Sequence, residues 1–547
     1  MTPRRRPSSP ASRLVSGFAS SSDLLKMESG DTSPSHGPLS VALVYPNTYS
    51  VGMSSLGYLC VRQWMRDVGS IQVERVFALS CDGRSLESGR RLGDFGVVAF
   101  SVAYEMDYVH LLQALDSSRL SLFASRRGTA APLVIAGGMA VDLNRHPIYP
   151  FVDVLVHGDG RGTIERIFEV CAQHLGFRRN DSERKALLAE LSVIEGVEIT
   201  AGALRAAGLE IPSGHEVFSV EIERAIEHDE AIDPGLRIPV PIGFARRGDR
   251  PAPPEIAVSR IVTPRAELGR RVLIEIARGC SHGCGFCWIG HQCRQSQPRS
   301  ASQVLAACDE ACGATECDSV GLIASSPGAH PEIDAICEGL MRAGRKISFS
   351  SLRADEISPA MLDVLVQSGQ KGLTLAPEVG DEPLRHRLGK PVGDDAFLET
   401  IERCLRAGLE EVKLYFMTGL PGETEIEADA IVSFADRVRT LMQSFGREQG
   451  RLGELSVNLG IYVPKPLTPL ASREAPSFGV VRARVRRIAQ ALRVLPNTQV
   501  AVPSAHESLI QAHLSMDGIE SARLLFKVWK AGPQWREAVR DLTQSKP

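Results

Sequence analysis

The residues with the clearest chemical potential lie in one stretch, Ile276-Ala277-Arg278-Gly279-Cys280-Ser281-His282-Gly283-Cys284-Gly285-Phe286-Cys287-Trp288, where three thiols share a loop with three glycines. Glycine lets a loop wrap closely around a bound group, and thiolates are the ligands that iron–sulfur clusters favour. A four-iron cluster on three protein thiols keeps one iron for an outside ligand, which is what catalysis requires. Zinc is a rival reading, because His282, His291 or Cys293 could complete a set of four ligands. Three unrelated reduced thiols are a third, at odds with the habit of buried cysteines to sit singly on apolar faces. Cys308, Cys312 and Cys317 raise the same question further on. The first two are spaced i and i+4 in an alanine-rich helical pattern and the third leads an apolar run, so they are expected in the core, not on an auxiliary cluster.

The elements that must position these residues are written as apolar runs alternating with amphipathic stretches. VALVYP, VVAFSV, LVIAGG and VDVLVHGD predict an α/β fold, a doubly wound (Rossmann or flavodoxin-like) domain over 39–175. Its Gly137-Gly138 and His157-Gly158-Asp159-Gly160 fall at strand ends, where such sheets bind ligands, although glycines also serve plain turns there. Residues 176–268, with Pro-rich RGDRPAPPEIAVSR near their end, predict a connecting region and linker. RVLIEIA, SVGLIA, KISFSSL, KGLTLAP, EVKLYFM and LSVNLGIY then alternate with helical patterns over 269–500, predicting a partial (β/α)6 barrel of the TIM type. The cysteine loop follows its first strand, and barrels of this kind carry their functional groups at the C-terminal strand ends. Residues 501–547 predict a helical extension.

Composition narrows the classes. At 547 residues the chain needs several structural units, and 43% hydrophobic with 23% charged residues is ordinary for a globular protein. No apolar run is long enough to span a bilayer, and a cytoplasmic location is expected. A net charge of −3 gives no pull toward nucleic acid. Twelve cysteines diluted over so long a chain, with no secretion signal, point to metal binding or burial before disulfides. Residues 1–38, rich in Ser, Pro and Arg, are expected as a disordered tail.

The spacing Cys-x-x-x-Cys-x-x-Cys, with an aromatic before its last cysteine and at the end of a first barrel strand, resembles the radical SAM superfamily. The resemblance continues through Leu373-Thr374-Leu375-Ala376-Pro377-Glu378-Val379-Gly380, Leu384-Arg385, Gly389-Lys390 and Gly419-Leu420-Pro421-Gly422-Glu423-Thr424. It reaches Tyr462-Val463-Pro464-Lys465-Pro466-Leu467-Thr468-Pro469, where Leu467 replaces a histidine usual in the group. Residues 40–175, with Tyr45-Pro46-Asn47, Val51-Gly52-Met53-Ser54-Ser55-Leu56-Gly57 and Ala136-Gly137-Gly138 as landmarks, are similar to the cobalamin-binding-type domain fused ahead of many such barrels. The whole is similar to an uncharacterised family with this fused arrangement.

The resemblance implies a [4Fe–4S] cluster on Cys280, Cys284 and Cys287, with S-adenosylmethionine on the open iron and cleaved to a 5′-deoxyadenosyl radical that takes hydrogen from an unactivated carbon. It places Phe286 near the adenine, Glu378 on the ammonium or ribose, Arg385 on the carboxylate, and the turn of Gly419, Pro421 and Glu423 behind the adenine. Ser325, Ser326 and Arg353 reach the same mouth. Beside these roles stand local ones: Glu423-Thr424 favours a helix start, and Glu378 with Arg385 could be an ordinary surface pair. An electron donor such as a flavodoxin or ferredoxin is implied as partner. The Asp-x-His-x-x-Gly segment that supplies cobalt with a lower histidine is absent, and Arg161 stands where an acidic residue often follows. Cobalamin-dependent methyl transfer is therefore open, against a domain that keeps the fold for substrate recognition. Two other functions stay open: a cobalamin-free tailoring or RNA-modifying radical SAM enzyme, and an iron–sulfur redox-sensing binding protein. The substrate, small or macromolecular, is not encoded in any motif.

Overall fold

The computed structural model describes residues 20–158, 160–175, 180–212, 220–233, 236, 238, 255–350, 352–450 and 452–543. Strands β1 (Leu39–Tyr45), β2 (Ile71–Phe77), β3 (Val97–Ser101), β4 (Leu133–Gly137), β5 (Val154–Val156) and β6 (Val197–Ile199) form a sheet in the order β2-β1-β3-β4-β5-β6. All pairings are parallel except β5 with β6. The strands are buried almost throughout, because apolar layers cover both faces. Helices α1 (Leu56–Asp67) and α3 (Arg161–Leu175) pack together, while α2 (Asp107–Ser117) contributes Leu111, Leu112 and Leu115 to the other core cluster. Chain order reverses between β1 and β3, the switch point at which open sheets of this class take ligands.

Two boundaries differ from expectation. Of the segment expected as a disordered tail, residues 1–19 lie outside the described ones, but residues 20–38 fold. They form the helix Ser21–Lys26 and the strand Ser29–Gly30, which pairs with Ile261–Val262. The cause is non-local: the Glu28 side chain, fully buried, accepts from both terminal nitrogens of Arg75 at 2.7 and 2.8 Å and from the Tyr49 hydroxyl at 2.7 Å. The sheet also runs past residue 175, since β6 lies in the segment read as a connection.

The second unit contains β7 (Val272–Glu275), β8 (Ser319–Ile323), β9 (Lys346–Phe349), β10 (Gly372–Glu378), β11 (Glu411–Thr418) and β12 (Leu455–Ile461). A seventh strand, β13 (Thr498–Ala501), follows. All run parallel in chain order, with a single bridge, Leu352 to Leu375, linking β7–β9 to β10–β13. No ladder joins β13 to β7 among the described residues, so the barrel is open. Along β11, Val412, Leu414 and Phe416 are buried under the surrounding helices while Lys413 and Tyr415 face an open interior. β13 escaped detection because its half-exposed sequence Thr-Gln-Val-Ala carries little apolar signal.

The helical extension does not trail off. Helices α12 (Ala505–Met516) and α13 (Glu520–Ala531) return to the first domain, where Ile510, Leu514, Leu525 and Phe526 join its core and Phe526 stacks on Phe151 with ring centres 6.3 Å apart. Here α12 and α13 continue a count in which α4 is Trp288–Gln292, α5 Ala301–Thr315, α6 Ile333–Arg342, α7 Pro359–Gln367, α8 Glu382–Arg387, α9 Asp394–Arg406, α10 Glu425–Gln449 and α11 Phe478–Leu492. No described helix is long and apolar enough to cross a membrane.

Candidate active site at the barrel mouth

The cysteine loop spans from the short strand Ala277–Arg278 to α4. Gly279 has φ +82°, and a Cβ there would lie 2.4 Å from the Gln295 carbonyl oxygen, so only glycine admits this crossing. The Cys280 amide donates to the Cys293 carbonyl at 2.9 Å and the Cys287 amide to the Cys284 carbonyl at 3.0 Å. The far side is held by the segment after α8: the Gly285 amide donates to Leu388 at 2.7 Å, and Gly389, at φ +77°, lets its backbone lie against Gly283 and Cys284. Gly389 thus has a steric reason to be glycine.

The three thiols lie between buried and half-buried. Burial pushes the Cys280 thiol up and the Cys284 thiol up to about 11. No three His, Cys, Asp or Glu side chains among the described residues sit close enough to hold a single metal ion. His282 and His291 each turn Nε2 to a partner, Glu356 at 2.7 Å and the Cys284 carbonyl at 3.1 Å, and do not complete a zinc set. The cradle fits a multi-iron cluster on three thiols. Cys308 and Cys312, Sγ atoms 3.7 Å apart, lie in the barrel core with Cys317.

Beside the loop, Phe286 packs on a small apolar cluster of Val379, Leu384, Leu388, Leu420, Tyr462 and Leu470. The Tyr462 hydroxyl, which burial pushes up to about 12, and the Trp288 indole N–H are buried without a hydrogen-bond partner among the described residues. An apolar floor with unsatisfied polar atoms suits an adenosine moiety. Glu378 ends β10 after a register shift, with φ +69°, a conformation costly for a residue with a Cβ and typical of sites that aim a side chain. It takes Lys390 at 2.8 Å.

In the turn after β11, Glu423 accepts from Thr418, Gly419, Leu420 and Arg484 on one carboxylate oxygen, at 2.9, 2.7, 3.3 and 2.6 Å. Burial raises its pKa despite these donors. Its role is to shape the turn, with Pro421 half-buried beside it.

Arg385 is a correction. The sequence reading gave it the SAM carboxylate, but its side chain is fully buried and points into the barrel wall. It donates to the carbonyls of Pro377, Val379 and Val392 and to Asp394, at 3.2, 3.1, 2.8 and 2.9 Å. Its guanidinium is enclosed by protein and satisfies the irregular end of β10.

Sequence reasoning missed Glu356. It binds His282 of the cysteine loop, Ser326 at 2.5 Å and Arg353 at 3.1 Å. No motif flags it, because its partners come from three loops.

A cavity of about 630 Å³ lies between the two units. One wall is the switch point of the first sheet: Ser55, Gly57 and Cys60 around α1, with Ser101, Gly137 and Gly138 at strand ends. Gly158 and Gly160 line it too, while Asp159 is outside the described residues. The other wall belongs to the barrel, through Arg278, Gly279, Cys293, Ser325 and Ser350. The cavity therefore reaches the back of the cysteine loop. Among the described residues its lining includes no histidine. His157, next to it, is held between Asp142 at 3.4 Å and Glu198 at 3.1 Å.

Comparison with known proteins agrees with this construction. Residues 274–435 match the radical SAM superfamily profile, and residues 57–199 match the profile of the N-terminal region of radical SAM proteins. The uncharacterised protein MJ0966 of Methanocaldococcus jannaschii is 25% identical over 440 residues, 79% of each chain. The radical S-adenosylmethionine methyltransferase TsrM of Kitasatospora setae, solved with tryptophan and a SAM analogue, shares the fold at a TM-score of 0.52 and 13% identity, over 93% of this chain and 100% of that one. The cobalamin-dependent radical enzyme OxsB, solved with aqua-cobalamin and S-adenosylmethionine, aligns at a TM-score of 0.43 and 13% identity, over 92% of this chain and 70% of that one. The chain belongs to the radical SAM superfamily: it is an enzyme whose cofactors are a [4Fe–4S] cluster and S-adenosylmethionine, built as a Rossmann-like domain ahead of the superfamily's barrel.

Proposed function

We propose that Cys280, Cys284 and Cys287 ligate the cluster, that the enzyme abstracts hydrogen from an unactivated carbon, and that a corrinoid in the interdomain cavity serves methyl transfer. The observation that carries the proposal is the immobilised three-thiol loop, which faces the barrel mouth on one side and backs the cavity through Gly279 and Cys293 on the other. When bound, the cluster and S-adenosylmethionine supply the radical and a corrinoid supplies the methyl carrier. The chain's own residues bind, orient and exclude water. Phe286, Leu420 and Val379 offer the adenosine an apolar seat, and Lys390 holds Glu378 at the mouth to accept from the ammonium or the ribose hydroxyls. The small residues at the switch point leave room for a large planar ligand.

The test is anaerobic purification with iron, sulfide and corrinoid analysis and an assay for 5′-deoxyadenosine, with Cys280→Ala, Cys284→Ala and Cys287→Ala as controls. Loss of the four-iron cluster in each variant is expected; a triple variant that keeps cluster and SAM cleavage refutes the ligand assignment. Corrinoid retained by the wild-type chain, with no protein imidazole on cobalt in its spectrum, is expected from the histidine-free lining. A chain that cleaves SAM but takes up no corrinoid is instead the cobalamin-free enzyme.

A further inference from the structure

We infer that Glu356 is a positioning residue for the cluster: it fixes the cysteine loop against the barrel and sets a negative charge beside it. The inference rests on the ligand assignment proposed above. Glu356 closes a one-turn 3-10 helix, Ala354–Glu356, in the loop after β9. One carboxylate oxygen meets Nε2 of His282, between Cys280 and Cys284, at 2.7 Å and Nε of Arg353 at 3.1 Å. The other accepts from the Ser326 hydroxyl, in the loop after β8, at 2.5 Å. A single side chain, mostly buried, thus joins the loops that follow the first three barrel strands.

The surroundings are built for this. Gly328 lies so close that a Cβ there would be 2.5 Å from the Glu356 carbonyl oxygen and 2.6 Å from its Cβ. From behind, Thr400 and Arg403 of α9 bond the carbonyls of Ala354 and Ile357 at 2.8 and 3.1 Å, so the short helix cannot drift. Asp355, its neighbour, pairs with Arg353 alone at 2.8 Å and is more exposed. Of these two adjacent carboxylates, Glu356 is the one that bonds the cysteine loop.

Two consequences follow. A charge-assisted bond to a loop suppresses its local opening about tenfold. A fixed negative charge beside a cluster opposes the arrival of an electron and lowers its potential.

The experiment compares the full chain with Glu356→Gln, Glu356→Asp and Asp355→Asn by two readouts. The first is hydrogen exchange of the metal-free protein, where Glu356→Gln is expected to speed exchange across residues 279–287 about tenfold and Asp355→Asn to leave it unchanged. The second is an EPR-monitored redox titration of the reconstituted protein. Glu356→Gln is expected to shift the midpoint to higher potential, Glu356→Asp to restore most of it, and Asp355→Asn to shift it little. Unchanged exchange and unchanged potential in Glu356→Gln overturn the inference, as does an equal shift in Asp355→Asn. If the wild-type chain takes up no cluster, the ligand assignment fails, and the exchange measurement still decides whether Glu356 holds the loop.

Discussion

Arg385 and Glu356 show how much one side chain's surroundings decide. Arg385 carries a positive charge in a fully buried place because three carbonyls and Asp394 surround it. Removing it leaves three buried carbonyls unpaired and Asp394 with Arg437 as its remaining partner, so Arg385→Ala should cost about 3 kcal/mol of stability. The thermal midpoint should fall sharply, while the folded fraction binds S-adenosylmethionine with affinity close to that of the wild type; an affinity loss without destabilisation would return Arg385 to the ligand site. Motif matching could place Arg385 next to Glu378 in sequence but could not tell which way its guanidinium turned. Cys284 is the opposite case. Its place in the Cys-x-x-x-Cys-x-x-Cys spacing was legible within eight residues, while the contacts that hold the loop, to Leu388 and Glu356, come from far along the chain.

At the scale of elements, His157 ties three pieces together: it follows β5, faces Glu198 on β6 and meets Asp142 of the helix Met139–Leu143. Burial pulls its pKa down, but the hydrogen bonds to Asp142 and Glu198 outweigh this and the net shift from 6.5 is upward. A group raised on folding stabilises fully below its unfolded pKa and loses that contribution as pH rises through the folded one. Stability should therefore be highest below pH 6.5 for this group and decline above it. Denaturant titrations of His157→Gln should lack that decline; a parallel pH profile in the variant would show that the ring is neutral throughout. The strands were legible because apolar alternation is local, as along β11. Glu198 on β6 was read as part of a connection because a three-residue edge strand gives almost no periodic signal.

At the scale of the molecule, the two units are held by contacts far apart in sequence. Lys465, of the segment after β12, pairs with Glu105 in the loop after β3, and Glu105 also accepts from Gln511 and Ser515 of α12 at 3.0 and 2.8 Å. Burial raises the Glu105 pKa, but the Lys465 pair outweighs it and the carboxyl titrates low. Lys465→Ala leaves that carboxylate buried and should cost about 3 kcal/mol, read as a lower midpoint and faster proteolysis between the units. Truncation after residue 503 should give insoluble protein, because α12 and α13 cover the apolar face of the first sheet; a soluble, folded truncation would mean that face is closed without them. What the sequence determined by itself is the local chemistry and its framework: the cysteine loop, the strand rhythm of both units and the glycines at the strand ends. These depend on spacing and periodicity within a few residues. The tertiary structure alone decided that residues 20–38 are folded, that the C-terminal helices complete the first domain, that Arg385 serves the wall and that Glu356 grips the cysteine loop. Each rests on charges or apolar faces brought together from distant segments, where burial rather than residue type sets what a side chain does.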